Sequence, residues 1–177
     1  IAPVSRSEMW ERLQYFLKEI MPIAEENNIK LVAHPDDPPV KNMRGTARLF
    51  YRTEEYEKLL DLYDSPSNGF ELCMGTVQEM EGSDLLDFLD KYSRLDRIGY
   101  IHYRNVIGKV PHYREAFVDE GDINMVKALE ILKNNNYDGI IVPDHTPEMS
   151  CDAAWHAGMA FAMGYLKGAM QSLEIDT

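Results

Sequence analysis

Four short apolar runs, residues 30–34, 70–74, 98–103 and 139–143, are separated by segments with helical spacing, and this alternation restricts the fold more than any other feature. A further helix precedes the first run. Its apolar positions Trp10, Leu13, Phe16, Leu17, Ile20, Ile23 and Ala24 follow Ser5-Arg6-Ser7-Glu8, which has the form of a capping box. Later helices are expected to start near Thr53, Ser83, Asp122 and Ser150, residue types whose side chains accept a backbone N–H at an N-cap. The order is one helix and then four βα units. Strands joined this way run parallel through right-handed crossovers, so the expected fold class is α/β. Two connections stand out: His34-Pro35-Asp36-Asp37-Pro38-Pro39, stiffened by its prolines, and a long stretch from Asn105 to Gly121.

The ends of the four expected strands carry His34, Cys73, His102 and Asp144, one in each, spaced by about one βα unit. Parallel strands bring such ends side by side, on the rim where barrels build their active sites. Two imidazoles, a thiolate and a carboxylate suit a divalent transition ion such as Mn, Fe, Co or Zn. Taken singly, each residue has an ordinary structural use. A histidine bonds a neighbouring carbonyl, a buried cysteine acts as a small hydrophobe, and an aspartate caps a turn. Recurrence of the same position on four consecutive strands favours the ligand reading. Glu71, two residues before Cys73, either orients a metal-bound histidine or faces solvent.

Composition narrows the partners. The formal charge of −12 and pI of about 4.8 argue against nucleic acid. The longest uncharged stretch near the C-terminus, 153–166, is shorter than the roughly 20 residues a membrane span needs. Cys73 and Cys151 are too few for a disulfide scaffold, which fits a reducing, cytoplasmic setting. The start Ile1-Ala2-Pro3-Val4 lacks an initiator Met and a secretory layout, as expected of a processed or cut piece. Residues 1–177 are read as one domain. Cys151 has no second thiol nearby in sequence, and the ten methionines read as core filler.

Several motifs together resemble those of the mannonate dehydratases, enzymes of hexuronate breakdown built on a TIM barrel of the xylose-isomerase-like type. They are the His34 to Pro39 segment, Asp64-Ser65-Pro66-Ser67-Asn68-Gly69 leading to Cys73-Met74-Gly75, His102-Tyr103-Arg104, Gly121-Asp122-Ile123-Asn124-Met125 and Pro143-Asp144-His145. The resemblance implies metal-dependent dehydration of D-mannonate to 2-keto-3-deoxy-D-gluconate. It implies His34, Cys73, His102 and Asp144 as metal ligands, with Mn²⁺ or Fe²⁺ the usual ion. Asp144 and His145 are then the nearest candidates for the acid and base. The sugar-acid carboxylate calls for cationic partners. Arg104 lies two residues past His102, on the same face of an extended strand, and Arg48 matches a family arginine near the substrate.

Where the family commonly has Arg before Pro-Asp-His, this chain has Val142, and Val118 stands where the family has His. The stretch after Asp144 lacks the family's Tyr; His156 occurs there, beside Trp155. The resemblance covers the C-terminal part of a barrel, four βα units of eight, so a complementary N-terminal half or a second copy is expected to cover the open side. Two alternatives remain at this point: a sugar or sugar-acid isomerase or epimerase of the same superfamily, and a non-catalytic metal-binding fragment.

Overall fold

A computed structural model describes residues 3–175. Helix α1 (Arg6–Glu26) begins where the Ser5 hydroxyl accepts the Glu8 N–H at 3.2 Å, as the capping box requires. Trp10, Leu17, Met21 and Ala24 form its buried stripe. Phe16 and Ile23, expected on that stripe, are 53% and 55% exposed. At 3.6 residues per turn they fall about 110° and 130° around from the stripe's centre, whereas Met21 falls close to it.

The chain continues through β1 (Leu31–Ala33), β2 (Asn42–Met43), β3 (Thr46–Ala47), α2 (Glu55–Leu62), β4 (Asn68–Cys73), α3 (Met74–Glu79) and α4 (Leu85–Arg94). Then follow β5 (Ile98–His102), β6 (Asn105–Lys109), β7 (His112–Ala116), α5 (Met125–Asn134), β8 (Ile140–Val142) and α6 (Ala154–Ser172). The four expected strands form one parallel sheet in the order β1-β4-β5-β8, which is the α/β arrangement read from the sequence. Side chains of Asp84 and Asn124 cap α4 and α5, one and two residues past the expected positions. Helices α2 and α6 start at Glu54 and Ala153 without a side-chain cap.

Strand alternation sends Phe70 and Leu72 into the helical layer. There Phe70 packs against Tyr56, Phe88 and Tyr92 with ring centroids 4.9 to 5.5 Å apart. Glu71 and Cys73 take the other face, and the pairing sets Cys73 beside His102 and His102 beside Val142. Met21, Met74, Met80 and Met125 fill the core, but Met163 is half exposed.

The connection after β5 departs from the expected loop: β6 and β7 pair as an antiparallel hairpin. Asn105 holds its base, donating to the Val118 and Ile123 carbonyls and accepting the Val106 and Ile123 N–H groups. A Cβ on Gly121 would lie 2.0 Å from the Asn105 amide oxygen, so only glycine fits there. The Lys109 ammonium, at 2.7 and 2.9 Å from the Gln78 and Met80 carbonyls, ties the hairpin to the end of α3. Among the described residues β1 and β8 are edge strands with one partner each, and Ile140 on β8 is 67% exposed. Among the same residues no helix is long and apolar enough to cross a membrane.

Candidate metal centre

All four expected ligands lie at the C-terminal ends of the sheet strands. Cys73 and His102 are the last residues of β4 and β5, His34 follows β1, and Asp144 lies two residues past β8. One donor atom each from His34, Cys73 and His102 lies within 4.8 Å of the others. Asp144 is adjacent rather than part of that tight group. Its Oδ2 is 3.4 Å from His102 Nδ1, 3.3 Å from His145 Nε2 and 3.7 Å from Arg104 Nε. The Asp144 backbone is left-handed, φ 65°, a conformation that aspartate tolerates better than most residues.

Glu71 does not face solvent. Its side chain is fully buried between the two imidazoles, Oε2 3.2 Å from His34 Nε2 and Oε1 3.1 Å from His102 Nδ1. Neither contact has hydrogen-bond alignment, so Glu71 Oε1 and Oε2 and His102 Nδ1 are buried without a partner. Such orphans are costly in a protein interior.

The protonation balance also favours a cation. Burial pushes the Cys73 thiol up, but hydrogen bonds from His102 and His34 and the Arg104 charge outweigh it and bring it down to about 5. The Cys73 sulfur is the main cause that raises His34 to about 9. For His102, burial opposes the charged ring, yet Cys73, Glu71 and Asp144 together raise it. Burial lifts Glu71 to about 7. A thiolate, buried carboxylate oxygens and imidazoles that attract protons form a donor set suited to a divalent transition ion.

Beneath the centre lies Arg104, 3% exposed. Its Nε donates to Cys73 Sγ at 3.1 Å, one terminal nitrogen to Glu115 at 2.8 Å, and the other to Asp37, Thr76 and Glu79 at 2.7, 3.0 and 3.1 Å. The guanidinium expected to hold a substrate carboxylate thus contacts the protein's own side chains. Gly75 leaves room for this guanidinium: a Cβ there would lie 2.8 Å from its Cζ and Nε. Thr76 also donates to Cys73 or Asp37, at 3.0 and 3.1 Å.

Arg48 is likewise engaged, donating from Nε to Asp36 at 2.5 Å and from a terminal nitrogen to the Asp37 carbonyl at 3.3 Å. Its side chain stays partly open to solvent. His145 is half exposed, with Nδ1 3.4 Å from Glu115. His156 and Trp155 are both exposed on the first turn of α6, and Cys151 is exposed and free. Val118 is buried in the core. Sequence reasoning missed Asp37, Thr76, Glu79 and Glu115. The only signal for Asp37 was its place in the proline-rich segment after β1.

Fold and site together define a parallel α/β barrel portion with a cluster on its C-terminal rim that could hold a metal ion. A family model described as D-mannonate dehydratase matches residues 2–176, and the chain belongs to that family. The mannonate dehydratase of Streptococcus uberis is 33% identical over 147 residues, 81% of this chain and 42% of that protein. The crystal structure of mannonate dehydratase from Streptococcus suis serotype 2 superposes with a TM-score of 0.83 at 28% identity, covering 97% of this chain and 52% of that one. A D-tagatose 3-epimerase-like protein, 22% identical with a TM-score of 0.71 over 95% of this chain and 57% of its own, shares the fold. The chain thus spans about two-fifths to a half of the length of these mannonate dehydratases.

Proposed function

We propose that the chain carries the metal-binding part of a dehydratase site that converts D-mannonate to 2-keto-3-deoxy-D-gluconate. The observation that carries this reading is the convergence of His34, Cys73 and His102 within 4.8 Å, in a chain of the D-mannonate dehydratase family. With Asp144 beside them, these residues would hold Mn²⁺ or Fe²⁺. When bound, such an ion supplies Lewis-acid polarisation of substrate oxygens and stabilises enediolate charge.

The chain's own groups do the rest. Elimination of water needs a base for the proton next to the carboxylate and an acid for the departing hydroxyl. We assign this work to Asp144 and His145, a reading supported by their 3.3 Å separation and their reach to solvent. Glu115 lies 3.4 Å from the other His145 nitrogen and steadies the ring. Arg104 holds the Cys73 sulfur and the carboxylates around it in place, and so acts as a positioning residue. The substrate carboxylate falls to Arg48, whose side chain is partly open to solvent. The two edge strands and exposed Ile140 support a complementary half-barrel or a second copy as the cover of the open side.

Incubation with Mn²⁺ and D-mannonate, read by mass spectrometry, tests the activity. The expected product is lighter by one water. A product of unchanged mass supports an isomerase or epimerase instead. Normal metal binding without turnover, even with a complementary half supplied, supports the non-catalytic reading.

A further inference from the structure

Glu71 is the largest unexplained feature of the centre: a fully buried carboxylate, both oxygens without a hydrogen-bond donor, on the floor between two imidazoles. The ring of His34 settles what faces it. His34 Nδ1 lies 2.6 Å from the Pro35 carbonyl oxygen, which can only accept, so Nδ1 carries the proton. Nε2 is then the nitrogen left free to ligate, and it faces Glu71 Oε2, 3.2 Å away without hydrogen-bond alignment. The same holds on the other side, where Glu71 Oε1 and His102 Nδ1 are 3.1 Å apart and neither has a partner.

The spacing is compatible with a shared ion. Nitrogen and oxygen ligands bound at about 2.1 Å, with angles between about 90° and 109°, stand roughly 3.0 to 3.4 Å from each other. Both Glu71 contacts fall in that range. A carboxylate that merely oriented the rings would instead accept an N–H from the nitrogen turned away from the metal. For His34 that nitrogen is Nδ1, already taken by Pro35.

We propose that Glu71 is itself a metal ligand, coordinating the same divalent cation as His34, Cys73 and His102 from the buried side of the site. This rests on the metal reading above and adds a buried anionic donor to the His34, Cys73 and His102 group, which lies within 4.8 Å without it. Strand geometry makes it possible: Glu71 and Cys73 are two residues apart on β4 and project from the same face. Together with Cys73 and Asp144 it would give three anionic donors for one divalent ion, which favours retention of a hard metal such as Mn²⁺ that thiolate and imidazole alone hold weakly.

The test is titration of the metal-free chain with cobalt(II), following affinity by calorimetry and coordination by the visible and near-ultraviolet spectrum. Glu71→Gln preserves shape and removes the charged donor. The expected result is about 10- to 100-fold weaker binding and a changed visible spectrum, with the thiolate band from Cys73 retained. Glu71→Asp, which keeps the charge but shortens the reach, should bind more weakly than the parent and provides the reading if the glutamine variant does not fold. Equal affinity and an identical spectrum would overturn the proposal. So would weaker binding with an unchanged spectrum, which would make Glu71 a positioning residue only. A parent chain that takes up no cobalt would instead overturn the metal centre as a whole.

Discussion

Replacing Arg104 with lysine distinguishes a structural guanidinium from a substrate-binding one. Arg104 makes five polar contacts, to Cys73, Glu115, Asp37, Thr76 and Glu79, while almost wholly buried. A lysine ammonium carries the same charge but has three donors on one nitrogen and cannot span acceptors spread across a planar fork. At least two contacts must be lost, and charge-assisted hydrogen bonds are worth about 1.5–3 kcal/mol each. The expected loss is therefore about 3–6 kcal/mol, overlapping the roughly 3–5 kcal/mol found when a buried ion pair is broken. Against a typical total of about 5–15 kcal/mol, that is a large fraction of the fold's stability. Urea unfolding at pH 7, extrapolated to water, measures it directly. A variant within about 1 kcal/mol of the parent, with only a raised KM for the sugar acid, would refute the structural role and restore Arg104 to the substrate.

Burial raises Glu79 from 4.5 to about 8 although Arg104 pulls it down. Its folded form thus binds the proton more tightly, and the stability tied to that proton is full below pH 4.5 and lost as pH rises through 8. Glu79→Gln should flatten this decline and be more stable than the parent at pH 8 by about 1–3 kcal/mol; parallel urea midpoints at pH 5 and pH 8 for the two chains would contradict it. Cys73→Ser should weaken Mn²⁺ binding while leaving circular dichroism unchanged, and an unaltered metal affinity would remove Cys73 from the ligand set. Gly75→Ala drives a methyl group into the Arg104 guanidinium. It should cost about 1–3 kcal/mol of strain, less up to about 1 kcal/mol of helix propensity gained, and a stabilised variant would show that Arg104 can move aside.

The sheet was legible because its signals are local. Each strand is a short apolar run, and residues at the same position in four such runs must meet if the strands are parallel. The β6–β7 hairpin was not, because its residues alternate weakly and Pro111 interrupts the run, which reads as loop. Phe16 and Ile23 were placed on the wrong side of α1 since an apolar residue on a flank looks the same in sequence as one on the stripe. At the site, alternation already put Glu71 on the face of Cys73 but could not say that two imidazoles from β1 and β5 would enclose it. Arg104 could be placed near the centre for the same reason. Its acidic partners could not, since Asp37, Glu79 and Glu115 reach it from three separate connections, one of them 67 residues away. Long-range charge pairing leaves no periodic trace in a sequence.

Anomalous diffraction from crystals of the chain grown with manganese, collected at the metal's absorption edge, would locate the ion without assumptions about ligands. One peak is expected, within about 2.0–2.4 Å of His34, Cys73 and His102 donor atoms. No peak there, or a peak bound elsewhere on the surface, would contradict the metal centre on which the dehydratase reading stands.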